Sequence, residues 1–132
     1  MSKQKQIELM EKLVDIVVLN EQFFSPSMAT ARIKGEANVE WTGCFERRCE
    51  SAKDKFARDI CKEYCKRDSA QEALGKVRGL IGYCNKAKNP KGCVESVNRT
   101  ADAWNNRISR INERIANLKR EMDKYRAKQA GR

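Results

Sequence analysis

Apolar positions recur with helical spacing along most of this chain. Ile7, Met10, Val14, Val17 and Phe24 step by three, four and seven, and Leu13, Ile16 and Val18 widen the stripe, which predicts an N-terminal helix over residues 4–23. The β-branched run Ile16-Val17-Val18 would also suit a strand, but no other segment reads as its partner. Ser25-Pro26-Ser27 breaks the pattern, Ser27 caps a short helix from Met28 to Lys34, and Gly35 ends it, leaving 36–43 as a connector. Phe45, Cys49, Ala52, Phe56, Ile60 and Tyr64 then return to helical spacing up to Asp68-Ser69, in one helix or in two broken near Ala52–Asp54. A further segment, 71–84, aligns Leu74, Val77, Ile81 and Cys84. Its Gly75, Gly79 and Gly82 lower helix propensity and are best explained by close helix approach. Asn89-Pro90-Lys91-Gly92 reads as a turn.

The most regular pattern follows. Val94, Val97, Ala101, Trp104, Ile108, Ile111, Ile115, Leu118, Met122 and Tyr125 alternate steps of three and four without interruption, predicting an amphipathic, coiled-coil-like helix over 94–128. Such a helix is about 50 Å long, whereas a compact domain of this length is about 36 Å across. The helix is therefore expected to overhang, with a bare apolar tip between Ile115 and Tyr125 that a partner or a second copy would cover. Alternatively the chain is elongated, and the N-terminal helix runs back along the seam formed by Trp104, Ile108, Ile111, Ile115, Leu118, Met122 and Tyr125. The bulk of Trp104 suits such a mixed bundle better than a two-stranded seam. The fold class is all-α: a small helical bundle in one domain, residues 1–132, with a disulfide-stapled helical hairpin region over 44–93.

Charge changes this picture by adding a second kind of partner. The net charge is +10, and it is uneven: residues 1–43 carry 5 Lys/Arg against 6 Asp/Glu, and residues 44–132 carry 23 against 12. A basic field of this kind attracts nucleic acid, acidic lipid or an acidic protein without choosing among them, and it also serves solubility. Arg47, Arg48, Arg107, Arg110, Arg114, Arg120 and Lys124 are the candidate phosphate contacts. No nucleic-acid-binding module is recognisable, and no stacking aromatics alternate with the basic residues. No membrane span is expected, because Glu8, Glu11, Lys12 and Asp15 interrupt the first apolar stretch. The Met1-Ser2 start reads as an unprocessed translation product.

Six cysteines fall in half of the chain, as Cys44-x4-Cys49-x11-Cys61-x3-Cys65-x18-Cys84-x8-Cys93. An even, clustered set reads first as disulfides, and the sequence alone selects no pairing. A hairpin turning near Lys53–Lys55 would nest Cys44–Cys65 and Cys49–Cys61 and leave Cys84–Cys93 around Pro90. A continuous helix over 44–67 folded back on 71–84 would instead bring Cys49 to Cys84 and Cys44 to Cys93, with Cys61 and Cys65 free. Thiolates also suit zinc or an iron–sulfur cluster, but with no Cys-x2-Cys pair and no histidine, neither a metal nor any other cofactor is expected. The segments Cys44-Phe45-Glu46-Arg47-Arg48-Cys49 and Cys61-Lys62-Glu63-Tyr64-Cys65 resemble the twin Cys-x3-Cys helical hairpins of the small mitochondrial intermembrane-space chaperones and of plant α-hairpinins. The first pair here is spaced by four, and Cys84, Cys93 and the long C-terminal helix have no counterpart there. The resemblance implies nested connectivity and an oxidising compartment, such as the intermembrane space; an extracellular or virion setting is equally oxidising.

The chain has no histidine, which removes Ser-His and Cys-His nucleophile pairs and the commonest general base. No phosphate-cradling glycine motif is present, and Asp54, Asp59 and Glu63 alternate with cations as solvated ion pairs rather than as an acid–base dyad. The leading expectation is a non-enzymatic structural or assembly subunit that presents its C-terminal helix to a protein partner or to its own copy. The alternatives are a basic nucleic-acid-binding protein and a cysteine-based metal or redox protein.

Overall fold

The structure, a computed structural model, describes residues 23–131; the helix expected over 4–23 lies outside them. Ser25 caps α1 (Pro26–Arg48), its hydroxyl accepting from the Met28 amide at 3.4 Å, with Pro26 opening the helix where its missing N–H costs nothing. α1 does not end at Gly35, and 36–43 is not a connector: the helix runs through both. Its buried stripe is narrow, Ala29, Ile33 and Ala37. The buried Ser69 hydroxyl donates to the Ala37 carbonyl at 2.6 Å and fastens that stripe to the next helix.

The chain reverses at Cys49–Asp54, so the hairpin alternative with a break holds. Asp54 then caps α2 (Lys55–Gly79), accepting from the Phe56 amide at 2.9 Å. Asp68-Ser69 does not interrupt α2, which passes directly into a 3-10 segment, Leu80–Lys86, rather than giving way to a separate helix over 71–84. A Cβ on Gly75 or Gly82 would meet nothing within 4 Å, so close helix approach does not explain these two glycines. Asn89-Pro90-Lys91-Gly92 is not a free turn but the cap and first turn of α3 (Pro90–Ala130), with the Gly92 amide donating to Asn89 Oδ1 at 3.1 Å.

Two reversals make α1 and α3 parallel, and both pack chiefly on α2. The core joins Phe24, Ile33, Val77, Leu80, Val97 and Ile111, all essentially inaccessible; each such side chain contributes about 1.5–3 kcal/mol through burial. Near the chain start of the described region, the Phe24 amide donates to the Lys86 carbonyl at 3.0 Å, and the Phe24 and Tyr83 rings lie 6.1 Å apart.

α3 is unbroken over 41 residues, about 60 Å at 1.5 Å per residue. It does not simply overhang a small globule, because α2 and its 3-10 extension run beside it. The rings of Phe56 and Tyr125 are 5.6 Å apart, and Arg126 Nη2 lies 3.5 Å from Asp54 Oδ2. The tip expected to be bare is thus covered on one side by the same chain. Leu118 and Met122 are half-buried, and Tyr125 remains 53% exposed. No described helix is long and apolar enough to cross a membrane.

Candidate functional site: a basic groove between α1 and α3

Because α1 and α3 lean on α2 more than on each other, a groove of about 510 Å³ opens between their N-terminal halves. Lys34 reaches it from α1, and Arg99, Arg107 and Arg110 reach it from α3. Among the described residues no carboxylate lines it. Ala31, Ala103 and Trp104 supply apolar wall, and the Arg107 guanidinium sits over the Trp104 ring, 5.2 Å from its centroid. Thr30 and Thr100 also line the groove, but each hydroxyl donates to the backbone of its own helix, to the Ser27 and Ser96 carbonyls at 3.1 Å. Both hydroxyl protons are therefore engaged within their own helices.

Positive charge continues onto α2. Lys62 and Lys66 lie over the Trp41 ring of α1, 5.8 and 4.8 Å from its centroid. Burial pushes the Lys66 pKa below the ordinary lysine value, and the charges of Lys62, Arg114 and Arg107 push it further against the opposing pull of Glu63. Arg114 Nε stands 3.3 Å from the largely buried Glu63 Oε2, close enough for an ion pair without hydrogen-bond alignment. There the surface turns mixed in sign, with Asp59, Lys62, Glu63 and Glu121 around Arg114.

The structure brings together only some of the basic residues singled out from the sequence. Arg107 and Arg110 share the groove, whereas Arg114 lies outside it, paired with Glu63. Arg47 and Arg48 lie at the other end of α1, beside the Cys44–Cys65 bridge. Arg120 is hydrogen-bonded to Asn117, and Lys124 is exposed beyond it. Sequence reasoning missed Lys34, Arg99, Lys62, Lys66 and Trp41. Arg99 was within reach, since Arg99, Arg107, Arg110 and Arg114 are spaced by eight, three and four residues and fall on one side of a helix. Trp41 was not, because the expected helix ends at Gly35, and Lys34, inside that expected helix, has no neighbour in sequence that signals a shared groove with α3.

The seam of α3 is mostly spent inside the bundle: Trp104, Ile111 and Ile115 are buried, and Ile108 is partly buried against the core. The cysteines pair as Cys44–Cys65, Cys49–Cys61 and Cys84–Cys93, with Cα separations of 5.7, 5.6 and 5.5 Å. The alternative bringing Cys49 to Cys84 and Cys44 to Cys93 is thereby excluded. The four-residue spacing of the first pair is absorbed at a helix end, since Cys49 is the C-cap of α1, while Cys61 and Cys65 stand one turn apart within α2. No protein-family model, curated protein or solved structure matches this chain.

Proposed function

We propose that this is a non-enzymatic binding protein: a helical scaffold fastened by three disulfides that holds an extended nucleic-acid strand by its phosphates along the α1–α3 groove. One observation carries the reading, the convergence of Lys34, Arg99, Arg107 and Arg110 on a groove that no carboxylate among the described residues lines. Lys62 and Lys66 extend the field, and Trp41, only half-buried beneath them, offers a ring edge to a base. The three bridges and the absence of free cysteines support an oxidising compartment. Fluorescence anisotropy with a labelled single strand across a salt series tests the function. Engagement of the four groove cations should give a slope of log K against log salt of about −3. The pair Arg107→Glu/Arg110→Glu should flatten that slope, while Arg47→Glu/Arg48→Glu should leave most of it. Absence of binding at low salt would remove the proposal.

A second reading has its own support. Leu118, Met122 and the 53% exposed Tyr125 leave an apolar strip on the last turns of α3, suited to a protein partner or a second copy. Light scattering over a concentration series separates the two, since a strictly monomeric protein that binds a strand excludes self-association through this strip.

A further inference from the structure

Residues 1–22 precede the described region, and their sequence carries an amphipathic pattern of its own. Ile7, Met10, Val14 and Val17 share one helical face, and Glu8, Glu11 and Asp15, stepping by three and four, fall along one flank of it. Between Glu8 and Glu21 stand four carboxylates, Glu8, Glu11, Asp15 and Glu21, against one cation, Lys12. The α3 seam is not free to receive this face, because Trp104, Ile111 and Ile115 are already buried within the bundle.

The groove between α1 and α3 has the complementary character. Its cations, Lys34, Arg99, Arg107 and Arg110, flank an apolar wall of Ala31, Ala103 and Trp104. Among the described residues no carboxylate forms a salt bridge with any of the four. The chain also enters at the groove's mouth: the Phe24 amide is fixed on the Lys86 carbonyl, and Ser27, three residues on, lines the groove. Lengths agree as well. Along α3 the groove runs from Ser96 to Arg110, about 21 Å at 1.5 Å per residue, and residues 4–18 in a helix span the same distance. Leu19 to Gln22 remain for the reversal.

We propose that residues 4–18 dock as a helix in this chain's own α1–α3 groove, antiparallel to α3, with the apolar face on Ala103 and Trp104 and the acidic flank against the groove arginines. An antiparallel helix whose residue 18 lies opposite Ser96 sets Met10 opposite Trp104. The tether presents the segment at about millimolar effective concentration to the cations that a polyanion would use. Its consequence, which rests on the strand-binding reading, is inhibition: a strand must displace the segment to enter the groove.

The test uses the full chain with carbon-13-labelled methionine methyls, first alone and then with a labelled single-stranded oligonucleotide. A nuclear Overhauser contact between the Met10 methyl, assigned by its loss in Met10→Leu, and the Trp104 indole is expected. Its absence would overturn the docking whether or not a strand binds. A contact that arises only between labelled and unlabelled chains in a mixed sample would put the segment in a second copy's groove, and overturn it equally. Val14→Ser/Val17→Ser removes apolar area without changing charge, so it should abolish the contact and raise strand affinity about tenfold. Equal affinities of the two chains would overturn the inhibition. Failure of both chains to bind the strand at low salt, with the Met10 contact intact, would sink the strand-binding reading and leave the docking established.

Discussion

Lys76 is the least expected residue in the core of the hairpin, with only 4% of its side chain exposed. It is tolerated because its ammonium finds two carboxylates on α1, Glu36 Oε2 at 3.3 Å and Glu40 Oε1 at 3.6 Å. Glu40 in turn shares its environment with Glu72. Burial, joined by a hydrogen bond with Glu72 and opposed by the attraction of Lys76, raises its pKa from 4.5 to about 7. The native state therefore holds a proton that the unfolded chain releases near pH 4.5. The resulting stability is fully present below that pH and is lost as pH rises through about 7. Urea midpoints should accordingly decline between those limits, and Glu40→Gln, which keeps an amide where the protonated acid stood, should remove most of that decline. Equal pH slopes for the two proteins would show that Glu40 does not carry it. Nothing in the sequence announced this cluster, because its members come from two helices that only the hairpin brings face to face.

At the scale of elements, legibility followed the width of the apolar stripe. α3 presents a continuous seam and is legible over 94–128; the structure adds its first turn, where Asn89 and Pro90 form a cap rather than a turn, and two residues at its end. α1 buries three small or medium side chains and carries Gly35 at mid-length, so the pattern dissolves just where the helix continues. What maintains it is tertiary: the Ser69 hydroxyl on the Ala37 carbonyl and the Cys44–Cys65 bridge hold its second half on α2. Gly35 is then a position where flexibility costs stability and serves no contact. A Cβ there meets nothing within 4 Å, so Gly35→Ala should stabilise the protein by about 0.5–1 kcal/mol through the unfolded chain's lost freedom. The urea midpoint would rise at constant slope; a fall would mean that the glycine serves a contact outside the described residues. The groove is half legible for a different reason: its α3 side reads as an arginine face, whereas its α1 side, Ser27 to Lys34, lies within the expected short helix and carries a single lining cation, Lys34, so only the packing shows that the two face each other.

The whole molecule departs from expectation in shape rather than in class. Treating the domain as a sphere made the long helix look like a projecting arm, yet α2 and its 3-10 extension together span 25 and 7 residues, about 50 Å at helical rises. Contacts at Phe56–Tyr125 and Asp54–Arg126 place the start of α2 beside the end of α3. A chain built on parallel rods of such length cannot be compact in the sense that its residue count suggests. Small-angle scattering should therefore give a maximum dimension of at least about 60 Å for the monomer, the length of α3 alone, against about 36 Å for a sphere of this chain length. A monomer near 40 Å would require α3 to break and fold back, which would bury its tip. At 1.5 Å per residue a 40 Å rod starting at Pro90 ends beyond Arg110, so such a break would leave the Arg99–Arg110 face straight, and strand binding along the groove should survive it.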